Sequence, residues 1–181
     1  TFNTQALWFA LASFIFVIFS FEEVRNGLIR FPMPTPTSDV MGQLSIMYER
    51  VTHGIFPYSP VMEMGHHPYP VYMPLHFLPI GISKLFNVDI RWCGFYTFAI
   101  SAAFSGYYIG TKKMHFAIKL FLCSFPSIAL WMYILFASDD IFITLEILIA
   151  GYYLILITGL LMRNNFIIFV GICFCLLSRY T

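Results

Sequence analysis

The chain alternates long apolar runs with short polar breaks, and the lengths of those runs predict its architecture. A helix needs roughly 20 mostly apolar residues to cross a hydrocarbon layer of about 30 Å. The runs at 4–21, 92–110, 116–137 and 141–162 meet that requirement, and another from 166 onward begins a fifth. They predict an all-α fold: a polytopic transmembrane helical bundle forming one domain over 1–181, its later helices packed as antiparallel neighbours across short loops. The run at 75–86 differs, because as a helix it covers only about 18 Å and Pro79 interrupts it. A helix of that kind is expected at the membrane surface, with Lys84 reaching toward the headgroups.

Placing 75–86 at the surface makes 22–91 one long loop on a single side. Lys112, Lys113, His115 and Lys119 crowd the link after the second run, and Arg163 follows the fourth. The positive-inside rule then puts those links in the cytoplasm, and the long loop faces outside together with Asp139 and Asp140. Arg25 and Arg30 oppose this orientation, but Glu22 and Glu23 accompany them, and long loops obey the rule poorly.

Within the loop, prolines alternate with other residues over 31–37, which imposes an extended approach and delays any helix. Ser38 is then a natural N-cap for a helix over about 39–53. Val40, Leu44, Met47 and Val51 fall on one face of it, and Asp39, Gln43 and Arg50 on another; Gly54 and Pro57 end it. Such a helix should lie flat, apolar face in lipid, and present Asp39 at the membrane surface. From spacing alone, Asp39 reads as a carboxylate favoured at a helix N-terminus by about 0.3–1 kcal/mol.

Beyond it, 54–75 is dense in aromatic residues and proline, including Tyr58, Tyr69 and Tyr72, which points to a rigidly held segment. His66 and His67 could bind a metal or a phosphate. Adjacent histidines diverge on any regular backbone, however, and metal ligands normally converge from several positions, so no metal or other cofactor is predicted.

Composition narrows the classes. The chain is 59% hydrophobic and 10% charged, with a mean hydropathy of +0.77; a soluble domain carries about a quarter charged residues. A net charge of +1 gives nucleic-acid binding no support. Cys93, Cys123, Cys173 and Cys175 all fall in apolar runs, without zinc or redox spacing. No basic region precedes the apolar run at 7–21 and no small-residue cleavage site follows it, so it reads as a retained anchor. Both ends are expected to be cuts from a longer chain.

Asp139 and Asp140 break an apolar stretch running from 116 to 162. Glu146 lies six residues past Asp140, about 9 Å deeper if the helix is continuous. Ionisable residues at depth usually face a cavity, so Glu146 is either a protonated packing residue or part of a site.

The order of these features resembles the polyprenyl-phosphate-sugar-dependent glycosyltransferases of the GT-C fold, especially bacterial mannosyl- and arabinosyltransferase-like members. The resemblance rests on one span, then an outside loop with Asp39 nine residues before Tyr48, the Gly54 to Pro57-Tyr58 turn, and a Tyr-Pro-rich stretch into a surface helix. Two spans and an acidic pair follow. The family's Tyr-Pro-Pro-Leu stands here as Tyr72-Met73-Pro74-Leu75, and the family's later spans are absent.

The resemblance implies an N-terminal fragment of an enzyme in the bacterial inner (plasma) membrane, its active face extracytoplasmic. Such an enzyme transfers a sugar from a polyprenyl-phosphate donor in the bilayer to a hydroxyl of a glycan or lipid acceptor. It makes Asp39 the catalytic base and matches Asp139 or Asp140 to a second acidic position. Arg50, His66, His67, Tyr69 and Arg179 are candidates to bind the substrate or steady the departing phosphate. A transporter or flippase segment is the main rival, since it too would carry intramembrane acids such as Glu146, but no internal repeat is visible. A non-catalytic scaffold subunit is the third reading.

Overall fold

The computed structural model describes residues 3–33, 39–62, 69–136 and 144–178, and all regular structure among them is helical. In chain order the helices are α1 (Thr4–Ile18), α2 (Phe21–Arg30), α3 (Val40–Thr52), α4 (Pro74–Phe77) and α5 (Ile80–Leu85). Then come α6 (Trp92–Thr111), α7 (Phe116–Phe136), α8 (Glu146–Met162) and α9 (Asn165–Leu176). Two helical stretches, Thr4–Arg30 and Phe116–Phe136, are long and apolar enough to cross a membrane. The helix α6 has the length, but glycine, serine, threonine and tyrosine dilute its hydropathy. The apolar α8 and α9 are shorter, about 25 Å and 18 Å at ~1.5 Å per residue.

The first departure from the sequence reading is α2, where a loop was expected from residue 22. The helix persists because Glu22 and Glu23 occupy its first turn and Arg30 its last, as the helix dipole favours, while Val24, Gly27 and Leu28 bury one face.

The central helix is α6, which packs on α1, α7 and α8. It can be central because its residues are small: Ala99, Ala102, Ser105, Gly106 and Gly110 are all buried. Gly106 and Gly110, a small-xxx-small pair, let the α1 backbone approach. A Cβ at Gly106 would lie 2.5 Å from the Phe9 carbonyl oxygen and 2.6 Å from Ser13 Oγ, and one at Gly110 would lie 2.6 Å from Ala6 Cα. Gly106→Leu is therefore expected to cost about 1–3 kcal/mol through overpacking, read as a lower thermal midpoint in detergent. Gly54, at φ +70° with open space around it, should accept Asn with little change.

Polar side chains tie the helices together. Ser13 Oγ donates to the Cys123 carbonyl (3.0 Å) and Ser127 Oγ to the Phe16 carbonyl (2.6 Å), joining α1 to α7. Ser105 and Thr158 share a hydroxyl hydrogen bond, and the Tyr108 hydroxyl donates to the Leu161 carbonyl. Both pairs are separated by 53 residues, so α6 and α8 run parallel in one register. Lys119, expected in a cytoplasmic link, is instead buried, where its ammonium caps α6 by donating to the Gly110 carbonyl (2.9 Å).

These contacts give the bundle two ends. At one lie α2 to α5, the N-termini of α6 and α8, and the C-terminus of α9; this is called the loop end. The other, the basic end, holds the C-termini of α6 and α8 with Lys112, Lys113, Lys119 and Arg163.

Beneath the loop a second core forms from Met41, Leu44, Met47, Phe77, Ile80, Cys93, Leu145, Leu148 and Tyr152. Most of the apolar face of α3, predicted to lie in lipid, is thus covered by protein: Leu44 and Met47 of that face and Met41 beside them are fully buried, while Val51 at its end stays exposed. Burying each such side chain stabilises by about 1.5–3 kcal/mol relative to water. The helix predicted over 75–86 is broken at Leu78–Pro79 into α4 and α5, and Lys84, rather than reaching for headgroups, pairs with Glu49 on α3 (2.6 Å).

Candidate functional site at the loop end

Asp39 is the N-cap residue of α3, but its side chain makes no capping bond to the helix backbone. Gln43 Nε2 donates to Asp39 Oδ2 (2.7 Å), a pairing one helical turn apart. Gln43 itself is buried, contrary to its expected place on an exposed polar face. The carboxylate is therefore oriented by a sheltered amide while it stands at the helix N-terminus, where the dipole favours it as the spacing suggested. Ser38, the cap expected from sequence, lies outside the described residues.

Glu146 is the second carboxylate at this end, and its position corrects the sequence reading. Leu145 takes the left-handed conformation (φ +56°), so Glu146 opens α8 instead of sitting two turns inside a continuous helix. A carboxylate in a first turn is favoured by the helix dipole. Asp39 stands two residues before Met41, and Glu146 sits between Leu145 and Leu148; Met41, Leu145 and Leu148 belong to one buried cluster. Each carboxylate is thus within two residues of a member of the same core, one at the start of α3 and the other at the start of α8.

Arg50 is built into the loop. Its guanidinium donates to the carbonyls of Pro57 (3.4 Å), Ser59 and Pro60 (2.9 Å), clamping the turn that follows α3. Tyr69 is 71% exposed. Asp139, Asp140, His66, His67 and Arg179 lie outside the described residues, so the expected convergence of Asp39 with the acidic pair falls there too.

Sequence reasoning missed a third group. Arg91 is buried, its side chain bonded to Asp89 through Nε (2.9 Å) and Nη2 (2.6 Å), and to the carbonyls of Phe31 (2.6 Å) and Leu28 (3.3 Å). It fastens the end of α2 to the start of α6, at the root of the segment leading to Asp39. Burial pushes the Asp89 carboxyl up, but the hydrogen bonds and charge of Arg91 outweigh it and hold that carboxyl below its ordinary value. The Asp-x-Arg spacing directly before an apolar run was the available signal. At Glu49 the hydrogen bond from Lys84 is the main cause of a lowered pKa.

Among the described residues, no three His, Cys, Asp or Glu side chains gather into a group able to hold a metal ion. Cys93, Cys123, Cys173 and Cys175 are free thiols. No protein-family model, curated protein or solved structure matches the chain.

Proposed function

We propose that the chain is part of a polytopic membrane enzyme that transfers a sugar from a polyprenyl-phosphate donor to an acceptor hydroxyl at its extracytoplasmic loop end. The observation that carries this reading is Asp39, oriented by the buried Gln43 at the start of α3, with Glu146 at the start of α8 next in sequence to Leu145 of the core that α3 covers. Asp39 takes the proton from the acceptor hydroxyl, and the resulting oxygen attacks the sugar's anomeric carbon. The bond from that carbon to the phosphate oxygen breaks, and the phosphate leaves with the electron pair on its lipid. As positive charge develops on the sugar ring, a nearby carboxylate such as Glu146 stabilises it. The donor's lipid tail stays in the bilayer, which is why such a site belongs at a membrane surface.

The reading is tested on the full-length protein in membranes loaded with a panel of radiolabelled polyprenyl-phosphate sugars. Transfer of label from at least one donor is expected, and no transfer from any would dismiss the activity. Orientation has its own measurement. Thr52 and Lys113 are exposed at opposite ends of the bundle. A cysteine at Thr52 should react with an impermeant maleimide on intact cells, and one at Lys113 only after permeabilisation. Equal reaction at both would remove the polytopic arrangement.

A further inference from the structure

At the basic end, α7 and α8 both pack on α6 but make little contact with each other among the described residues. The gap between them is a cleft of about 450 Å³. Leu122, Phe125 and Pro126 of α7 form one wall, and Leu154 and Ile157 of α8 form the other. Pro126 has no N–H to give the Leu122 carbonyl, so the α7 wall is loosened beside the cleft. At the mouth stands Lys112, its ammonium 4.3 Å from the centre of the Tyr108 ring. Tyr108 is itself anchored to α8 through the Leu161 carbonyl, so the cation is held over the opening and not left to wander. Lys113 is exposed beside it.

Charge identifies the occupant. The sequence has no acidic residue before Glu22, none between 90 and 138, and none after Glu146. Among the described residues, the basic end therefore presents cations with no carboxylate to neutralise them, above a cleft whose walls are apolar. We infer that this cleft binds one anionic phospholipid, an acyl chain between α7 and α8 and the headgroup phosphate on Lys112 and Lys113. The inference rests on the chain being embedded in a membrane and not on sugar transfer, so loss of the enzymatic reading alone leaves it standing.

The test is native mass spectrometry of the detergent-solubilised full-length protein titrated with dioleoylphosphatidylglycerol or dioleoylphosphatidylcholine. The first anionic lipid should bind on the order of tenfold more tightly than the zwitterionic one, given two cations near the headgroup. Lys112→Gln with Lys113→Gln, both at exposed positions, should bring the two lipids to equal affinity. Ile157→Trp, which fills the cleft and keeps both lysines, should weaken the first binding of either lipid. A wild-type protein without preference, a preference that survives removal of the lysines, or unchanged binding in the cleft-filled variant would each overturn the proposal.

Discussion

Sugar transfer from a lipid-phosphate donor is expected to fall by at least about 10²-fold when Asp39→Asn is introduced into the full-length protein, the lower end for loss of a general base. Asparagine keeps the size of the side chain and can still bond with Gln43, whose Nε2 now donates to Asp39 Oδ2. It cannot take a proton from an acceptor hydroxyl. Asp39→Ala, by contrast, would leave the buried Gln43 amide without this acceptor and should cost about 1–3 kcal/mol. A purely structural Asp39 predicts instead that transfer is retained in Asp39→Asn. Transfer at the wild-type rate by Asp39→Asn would take this residue out of the mechanism.

Arg91→Leu carries the largest expected loss of stability, about 3–5 kcal/mol, because it removes one partner of a buried ion pair. It also strips the Leu28 and Phe31 carbonyls of a donor. Thermal denaturation in detergent at neutral pH should show the drop, with Arg91→Lys intermediate, since an ammonium keeps the charge but not the planar fork. The pH dependence follows from Asp89, whose folded-state pKa lies below its ordinary value of 3.8. A lowered carboxylate pKa contributes stability that is fully present above the unfolded value and is lost as pH falls through the folded one. The gap between wild type and Arg91→Leu should therefore be widest at neutral pH and narrow as the pH is taken below 3.8. A gap that stays constant into acid would show that the ion pair contributes nothing.

What could be read from sequence divides along physical lines. Length and apolarity locate helices such as α7 well, because a run of 21 residues from Phe116 to Phe136 has few other solutions. They do not say what covers a helix face. Val40, Leu44 and Met47 had the right spacing for an amphipathic α3, but spacing cannot distinguish lipid from Phe77 and Ile80 as the cover. Placing 75–86 at the surface makes 22–91 one loop and so hides α2, although Val24 and Leu28 are one turn apart. Polarity misled at Gln43, which is buried because Asp39 satisfies it. Glu146 opens α8 after the positive φ of Leu145, a backbone angle that the apolar residues around it do not announce. The centrality of α6 was legible in the Gly106 to Gly110 spacing, but as a packing signal and not as a hydropathy peak.

One contact sets an order of events during synthesis. The last carbonyls of α9 and the residues after it have no helical donors of their own. Here Leu75 N–H donates to the Leu177 carbonyl (2.7 Å) and His76 Nδ1 to the Ser178 carbonyl (2.9 Å). His76 and Ser178 are 102 residues apart in the chain. At ribosomal rates of about 5–20 residues per second, that separation corresponds to roughly 5–20 s. For that interval the α4 segment has emerged without the partner that completes its hydrogen bonding. Until α9 arrives, Leu75 N–H and His76 Nδ1 of the nascent loop end are left to water, so this end of the bundle closes only after the rest has been made.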